Sequence, residues 1–67
     1  MWTVVYIAPT MIMAEKIQGL LSSEGLLVNI RAVEVDDHGR GSIEIQVPEG
    51  EAEEAHEILT EHLGRFR

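Results

Sequence analysis

Cysteine is absent from this 67-residue chain, so it offers no disulfide, no thiolate metal site and no catalytic thiol. This absence fits a reducing compartment, and we expect a cytoplasmic protein. No apolar run approaches the roughly 20 residues that cross a bilayer. No lysine or arginine precedes Lys16, so the apolar N-terminus lacks the basic leader of a secretory signal.

Positive charge is also scarce. Five lysines and arginines oppose twelve aspartates and glutamates, which gives a net charge of −7. Phosphate backbones and anionic lipids are bound mainly by clustered cations, so we expect neither a nucleic-acid nor a membrane partner. The length leaves room for one hydrophobic core, and we take residues 1–67 as a single domain. Self-association is one way for such a small core to gain stability.

The first half of the chain predicts a strand followed by a helix. Trp2–Ala8 is rich in β-branched and aromatic residues, as strands are, and Pro9 ends it. Thr10 can cap a helix that runs to about Glu24, and Gly25 suits the residue after a helix end. The apolar stripe of this helix comprises Met13, Ala14, Ile17, Leu20 and Leu21.

The second half predicts two strands and a second helix. Leu27–Val35 and Ser42–Val47 are the strands, and Asp36–Gly41, which is dense in turn formers, is the loop between them. In the third strand Ile43, Ile45 and Val47 alternate with the outward Glu44 and Gln46. The second helix covers about Gly50–Leu63 and stops near Gly64. Its buried residues are predicted to be Ala52, Ala55, Ile58, Leu59, Leu63 and Phe66.

These elements define an α+β fold of order β-α-β-β-α. A strand-helix-strand connection is right-handed, which places both helices on one face of the sheet. The short loop pairs the second strand with the third, and the first strand can lie antiparallel on the other side of the third. We therefore expect a two-layer sandwich with a three-stranded antiparallel sheet of order 1-3-2. It resembles the ferredoxin-like arrangement without its last strand, which leaves one edge of the first strand unpaired.

The first strand is apolar on both faces. We predict that Val5 and Ile7 face the helices, while Trp2, Val4 and Tyr6 lie on the opposite face. The other strands are expected to add Arg31, Glu44 and Gln46 to that face. An apolar stripe with a polar rim indicates a docking surface for a protein partner or a second copy. The alternatives are aromatic side chains that only shield the sheet, or a face that binds a small ligand.

The loop is a second candidate site. Asp36, Asp37, His38 and Arg40, together with Arg31, could form a small-molecule or metal sensor. His56 and His62 are six residues apart, about 240° around a helix, and cannot share one ion. We predict no metal, no cofactor and no enzymatic activity, because no nucleophile and base are set together and the glutamates from Glu49 onward have the spacing of a solvated helix face.

Three strings, VVYIAPT, AEKIQGLLSSEGL and VPEGEAEEAHEIL, resemble in order and spacing a family of short prokaryotic signal-transducing domains of unknown function. The resemblance implies a small regulatory module. Some similar short chains are described as glutamate decarboxylases. That activity is implausible here, because a pyridoxal-phosphate enzyme needs a buried lysine, and the only lysine, Lys16, lies off the apolar stripe of its helix.

Overall fold

The computed structural model describes residues 1–63, the side chain of Leu63 excepted. The predictions for the packing of Leu63 and Phe66 and for the helix stop at Gly64 lie outside the described residues. The elements follow the predicted order. They are β1 (Trp2–Thr10), α1 (Met11–Ser23), β2 (Asn29–Val35), β3 (Arg40–Pro48), a 3₁₀ turn (Glu49–Glu51) and α2 (Ala52–Leu63).

Both ends of α1 are fixed by hydrogen bonds that its sequence predicts. The Thr10 hydroxyl accepts from the backbone N–H of Met13 at 3.1 Å, as an N-cap residue does. At the other end Gly25 has a φ of 87°. The N–H of Leu26 then reaches back to the carbonyl of Leu21 at 3.1 Å. This termination folds the buried Leu26 onto the core, so the chain leaves the helix already directed toward β2.

The sheet has the predicted antiparallel order β1-β3-β2, with β3 in the centre. Ile43, Ile45 and Val47 of β3 point toward the helices and are fully buried. Both helices pack against this row, so they cover one face and leave the other face of the sheet open. The core consists of Ala8, Ala14, Ile17, Leu21, Leu26, Ile43, Ile45, Val47, Ala55, Ile58 and Leu59.

A β-bulge in β1 reverses the alternation of its side chains. Val4 lies opposite Gln46, but Tyr6 lies opposite Ile45, so one extra residue is inserted at Val5. Val5 and Tyr6 consequently both pack against the core, and Ile7 lies on the open face. The predicted orientations of Trp2, Val4 and Val5 are confirmed. Those of Tyr6 and Ile7 are wrong, because strict alternation ends at the bulge.

A second bulge interrupts β2. Ala32 pairs with Ile43 and Glu34 with Ser42, which leaves Val33 as the extra residue. Here Gly41 of β3 approaches β2 so closely that a Cβ atom would overlap the carbonyl oxygen of Glu34. The close approach of the two strands beside the bulge therefore requires glycine at position 41.

The strand limits differ from the prediction by a few residues. β1 continues through Pro9 to Thr10. β2 begins at Asn29 rather than Leu27, since the Leu27 N–H donates to the Glu51 carboxylate at 3.0 Å instead of joining the sheet. None of the helices within residues 1–63 has the length and apolar character needed to cross a bilayer.

Candidate functional site

The open face of the sheet carries an apolar stripe along one edge. Trp2, Val4 and Ile7 of β1 project from this face with 47%, 41% and 57% of their surface exposed. They belong to a strand without a single charged residue. We call these three side chains the apolar stripe. Tyr6 was predicted as a member and is replaced by Ile7.

A line of polar side chains crosses the open face beside the stripe. The Asn29 side-chain amide donates to Gln46 Oε1 at 2.9 Å, and Gln46 Nε2 donates to Glu44 Oε1 at 3.0 Å. Gln46 is only 9% exposed, and these bonds satisfy both ends of its amide. Arg31 of β2 lies directly opposite Glu44. The predicted Arg31, Glu44 and Gln46 are thus together on the open face.

Negative charge is concentrated away from the apolar stripe. Of the twelve carboxylates, Glu44 and Glu34 belong to the open face, where Glu34 pairs with Ser42. The others lie on α1, α2, the segments that flank them and the β2–β3 loop. Glu44 lies opposite Ile7, but Trp2 and Val4 lie opposite the uncharged Pro48 and Gln46, so most of the stripe is bordered by uncharged residues.

The β2–β3 loop is ordered by its own hydrogen bonds. Asp36 Oδ1 accepts from the backbone N–H groups of His38 and Arg40 at 2.8 and 3.0 Å. The Gly39 carbonyl accepts from the Met11 N–H at 2.9 Å, which ties the loop to the start of α1. The Asp36 carboxylate thus already serves as a turn-stabilising group.

The remaining members of the predicted ligand loop do not converge with Arg31. Asp37, His38 and Arg40 are exposed on the loop. Arg31 lies within β2, five residues before Asp36, which follows the end of that strand, so about 16 Å separates them at 3.3 Å per residue. The ligand-sensing hypothesis stays a prediction, which an NMR titration of the loop amides with metals, nucleotides and amino acids would test.

The histidines lie on α2 and the loop without forming a cluster. His56 is exposed and His62 is half-buried at the boundary of the helix. Among the residues that the structure describes, no three His, Asp or Glu side chains are placed to hold one metal ion. A groove of about 430 Å³ lies beside His62. It is lined by Thr10, Ile12, Met13, Lys16, Ile17, Leu20 and His62, a set without a carboxylate.

Comparison of the chain with protein-family models, with curated proteins and with solved structures finds no match. The resemblance to short signal-transducing domains accordingly stays a prediction. Among the described residues, the apolar stripe on β1 combines exposed apolar side chains with an unpaired strand edge, a chemistry suited to binding.

Proposed function

We propose that this domain is a small regulatory interaction module that associates with a second copy of itself through β1. The observation that carries the proposal is the apolar stripe. Three large apolar side chains, including a tryptophan, are exposed side by side on an uncharged strand of a chain with a net charge of −7. Tryptophan is among the residues that most often dominate the binding energy of protein interfaces, and the cores of such interfaces are depleted of charged residues.

The charge distribution favours a second copy as the occupant. A basic partner would be drawn to the carboxylates of the helix layer, where α2 alone carries Glu53, Glu54, Glu57 and Glu61. The uncharged stripe instead matches another uncharged apolar surface. A second copy presents such a surface without placing two acidic helix faces against each other, and a closed dimer uses the same patch from both chains.

Association would also add to the stability of a small core. A single core of this size supplies only about 3–5 kcal/mol. Binding that requires the folded state raises the free energy of unfolding by mass action. A regulatory module of this kind would be more stable, and differently shaped, at concentrations where it dimerises.

Sedimentation equilibrium from micromolar to millimolar concentration tests the proposal. The parent chain is expected to form a concentration-dependent dimer. Ile7→Lys is expected to raise its dissociation constant at least about tenfold, equivalent to 1.4 kcal/mol, because a charged group must then enter the contact. The added lysine lowers the net negative charge, so weaker association would not arise from overall repulsion.

Leu27→Lys is the matched control. Leu27 is 62% exposed, similar to Ile7, but it precedes β2 and lies outside the stripe. Its substitution is expected to leave the dissociation constant unchanged. A parent chain that stays monomeric at millimolar concentration would contradict the proposal, as would an equal effect of the two substitutions.

A further inference from the structure

We infer that the two copies join edge to edge along β1, so that their sheets form one continuous antiparallel sheet of six strands. This inference deepens the proposed function and rests on it. Edge pairing would place specific backbone groups of β1 in the contact. The other way to cover the stripe is to stack the open faces of two copies, which would leave those backbone groups unpaired.

The outward backbone groups of β1 follow from one hydrogen bond. The Met1 carbonyl accepts from the Glu49 N–H at 2.9 Å, so the polar groups of Met1 point toward the β3 side. In an antiparallel ladder, successive residues direct their N–H and C=O groups to opposite sides. The groups of Thr3 therefore point toward β3, and those of Trp2 and Val4 point to the outer edge. Pro48, which has no N–H, lies opposite Trp2, where the ladder requires no donor from it.

Beyond the bulge, the same alternation of backbone groups directs the N–H and C=O of Ile7 to the outer edge. Tyr6 and Ala8 lie opposite Ile45 and Ile43, whose polar groups face β1 because they share the parity of Val47 and Glu49. Ile7 alternates with them and points outward. No strand within residues 1–63 pairs with this edge. Three residues therefore offer outward N–H and C=O groups, and they are the same three that form the apolar stripe.

Edge pairing uses both the outward backbone groups of these three residues and their apolar side chains. Antiparallel strands from two copies related by a twofold axis exchange hydrogen bonds and keep their open faces on the same side of the joined sheet. The two stripes then lie next to each other on adjacent strands, where cross-strand apolar pairs stabilise a sheet. Strand addition of this kind is a common mode of recognition at exposed sheet edges.

Stacking of the open faces is less favourable, because it would bury charge. Glu44 of the central strand and Arg31 of β2 lie on the open face, beside the hydrogen-bonded pair of Asn29 and Gln46. A second sheet stacked on this face would remove both charged groups from water, at a cost that their mutual attraction rarely repays. Edge pairing leaves these side chains in solvent.

Backbone N-methylation separates the two modes. The 67-residue chain is prepared by chemical synthesis and ligation with N-methyl-valine at position 4, which deletes the outward donor and keeps the side chain. Each copy of a symmetric dimer loses one hydrogen bond and gains a methyl group in the contact. We expect the dissociation constant from sedimentation equilibrium to rise at least about tenfold.

N-methylation of Ile30 is the matched control. Ile30 lies opposite Ile45, whose polar groups face β1, so the Ile30 N–H points to the outer edge of β2. This variant should dimerise like the parent chain, and far-UV circular dichroism should show both methylated chains folded.

Three outcomes decide the matter. A dimer that is weakened by methylation at Val4 and not at Ile30 supports edge pairing. If neither methylation weakens the dimer while Ile7→Lys does, edge pairing is overturned and the proposed self-association stands. A parent chain that is monomeric at all concentrations overturns both.

Discussion

The two edge strands of the sheet differ in how they are protected from further pairing. β2 has seven residues, two of them charged, and a bulge at Val33, beside which only glycine fits at position 41. β1 has nine residues and no charge, a bulge at Val5 between Val4 and Ile7, and Pro9, which removes an outward donor near its end. Charged side chains and bulges are the usual means by which proteins prevent edge-to-edge association. Both edges are interrupted by a bulge, but only β2 adds charged side chains, so β1 is the edge with less protection against a partner.

The bulges of the two strands also act differently. The bulge in β2 disrupts an edge that already carries Arg31 and Glu34. The bulge in β1 turns Tyr6 into the core and Ile7 outward, which moves one apolar side chain onto the open face without adding any polar group. The bulge in β2 thus interrupts a charged edge, whereas the bulge in β1 adds an apolar side chain to an uncharged one.

The largest effect is expected from breaking the bulge of β2 with Gly41→Ala. The new Cβ atom would overlap the Glu34 carbonyl, so β2 and β3 must separate at this point. We expect a loss of about 3 kcal/mol or more in the free energy of unfolding, measured by urea denaturation. Gly39→Ala is the control, since its Cβ would meet nothing closer than Met11 at 3.8 Å and it bears only the cost of a positive φ, about 1–2 kcal/mol. Equal losses would show that the close approach at Gly41 is unimportant.

Substitution by aspartate at two adjacent positions, Tyr6 and Ile7, tests the bulge of β1. Tyr6→Asp would place a carboxylate against the core and is expected to cost about 3 kcal/mol in the free energy of unfolding. Ile7→Asp would place it on the open face, with an expected cost of about 1 kcal/mol or less. Both are measured by urea denaturation at a concentration where the chain is monomeric. Reversal of this order would mean that β1 alternates without interruption.

The smallest effect is expected when the edge of β2 is made to resemble that of β1. The double substitution Arg31→Val and Glu34→Val removes both charges from β2 and leaves the net charge unchanged. We expect species larger than a dimer by light scattering, because each chain then has two edges able to pair. The neutral pair Glu15→Val and Lys16→Val on the exposed side of α1 is the control and should leave the mass unchanged. A double β2 variant with the mass of the parent would indicate that its bulge alone closes this edge.

The order of elements and the core follow from local sequence patterns. Ile43, Ile45 and Val47 alternate strictly with polar residues, and the structure buries all three. Thr10 and Gly25 fix the ends of α1 through short-range hydrogen bonds, which makes them recognisable in the sequence. Such features depend on neighbours within a few residues.

The features that the sequence did not predict depend on distant contacts. The string VVYI gives no sign of the bulge at Val5. Every residue in it is aliphatic or aromatic, so no charged or strongly polar residue marks which positions face solvent. The delayed start of β2 depends on Glu51, 24 residues away from Leu27. The candidate surface was accordingly placed on the correct strand, but one of its three apolar members was misassigned, since a single inserted residue exchanges the two faces.

The position of β3 between the other two strands has a consequence for biosynthesis. β2 and β3 are joined by a short loop, whereas β1 must wait for a strand that begins 30 residues after β1 ends. At a translation rate of about 5–20 residues per second, this interval lasts roughly 2–6 s. During this time the uncharged β1 has both edges open, and neighbouring nascent chains on the same messenger carry the same segment. The strand we propose as the dimer contact is also the one that waits longest for its partner strand.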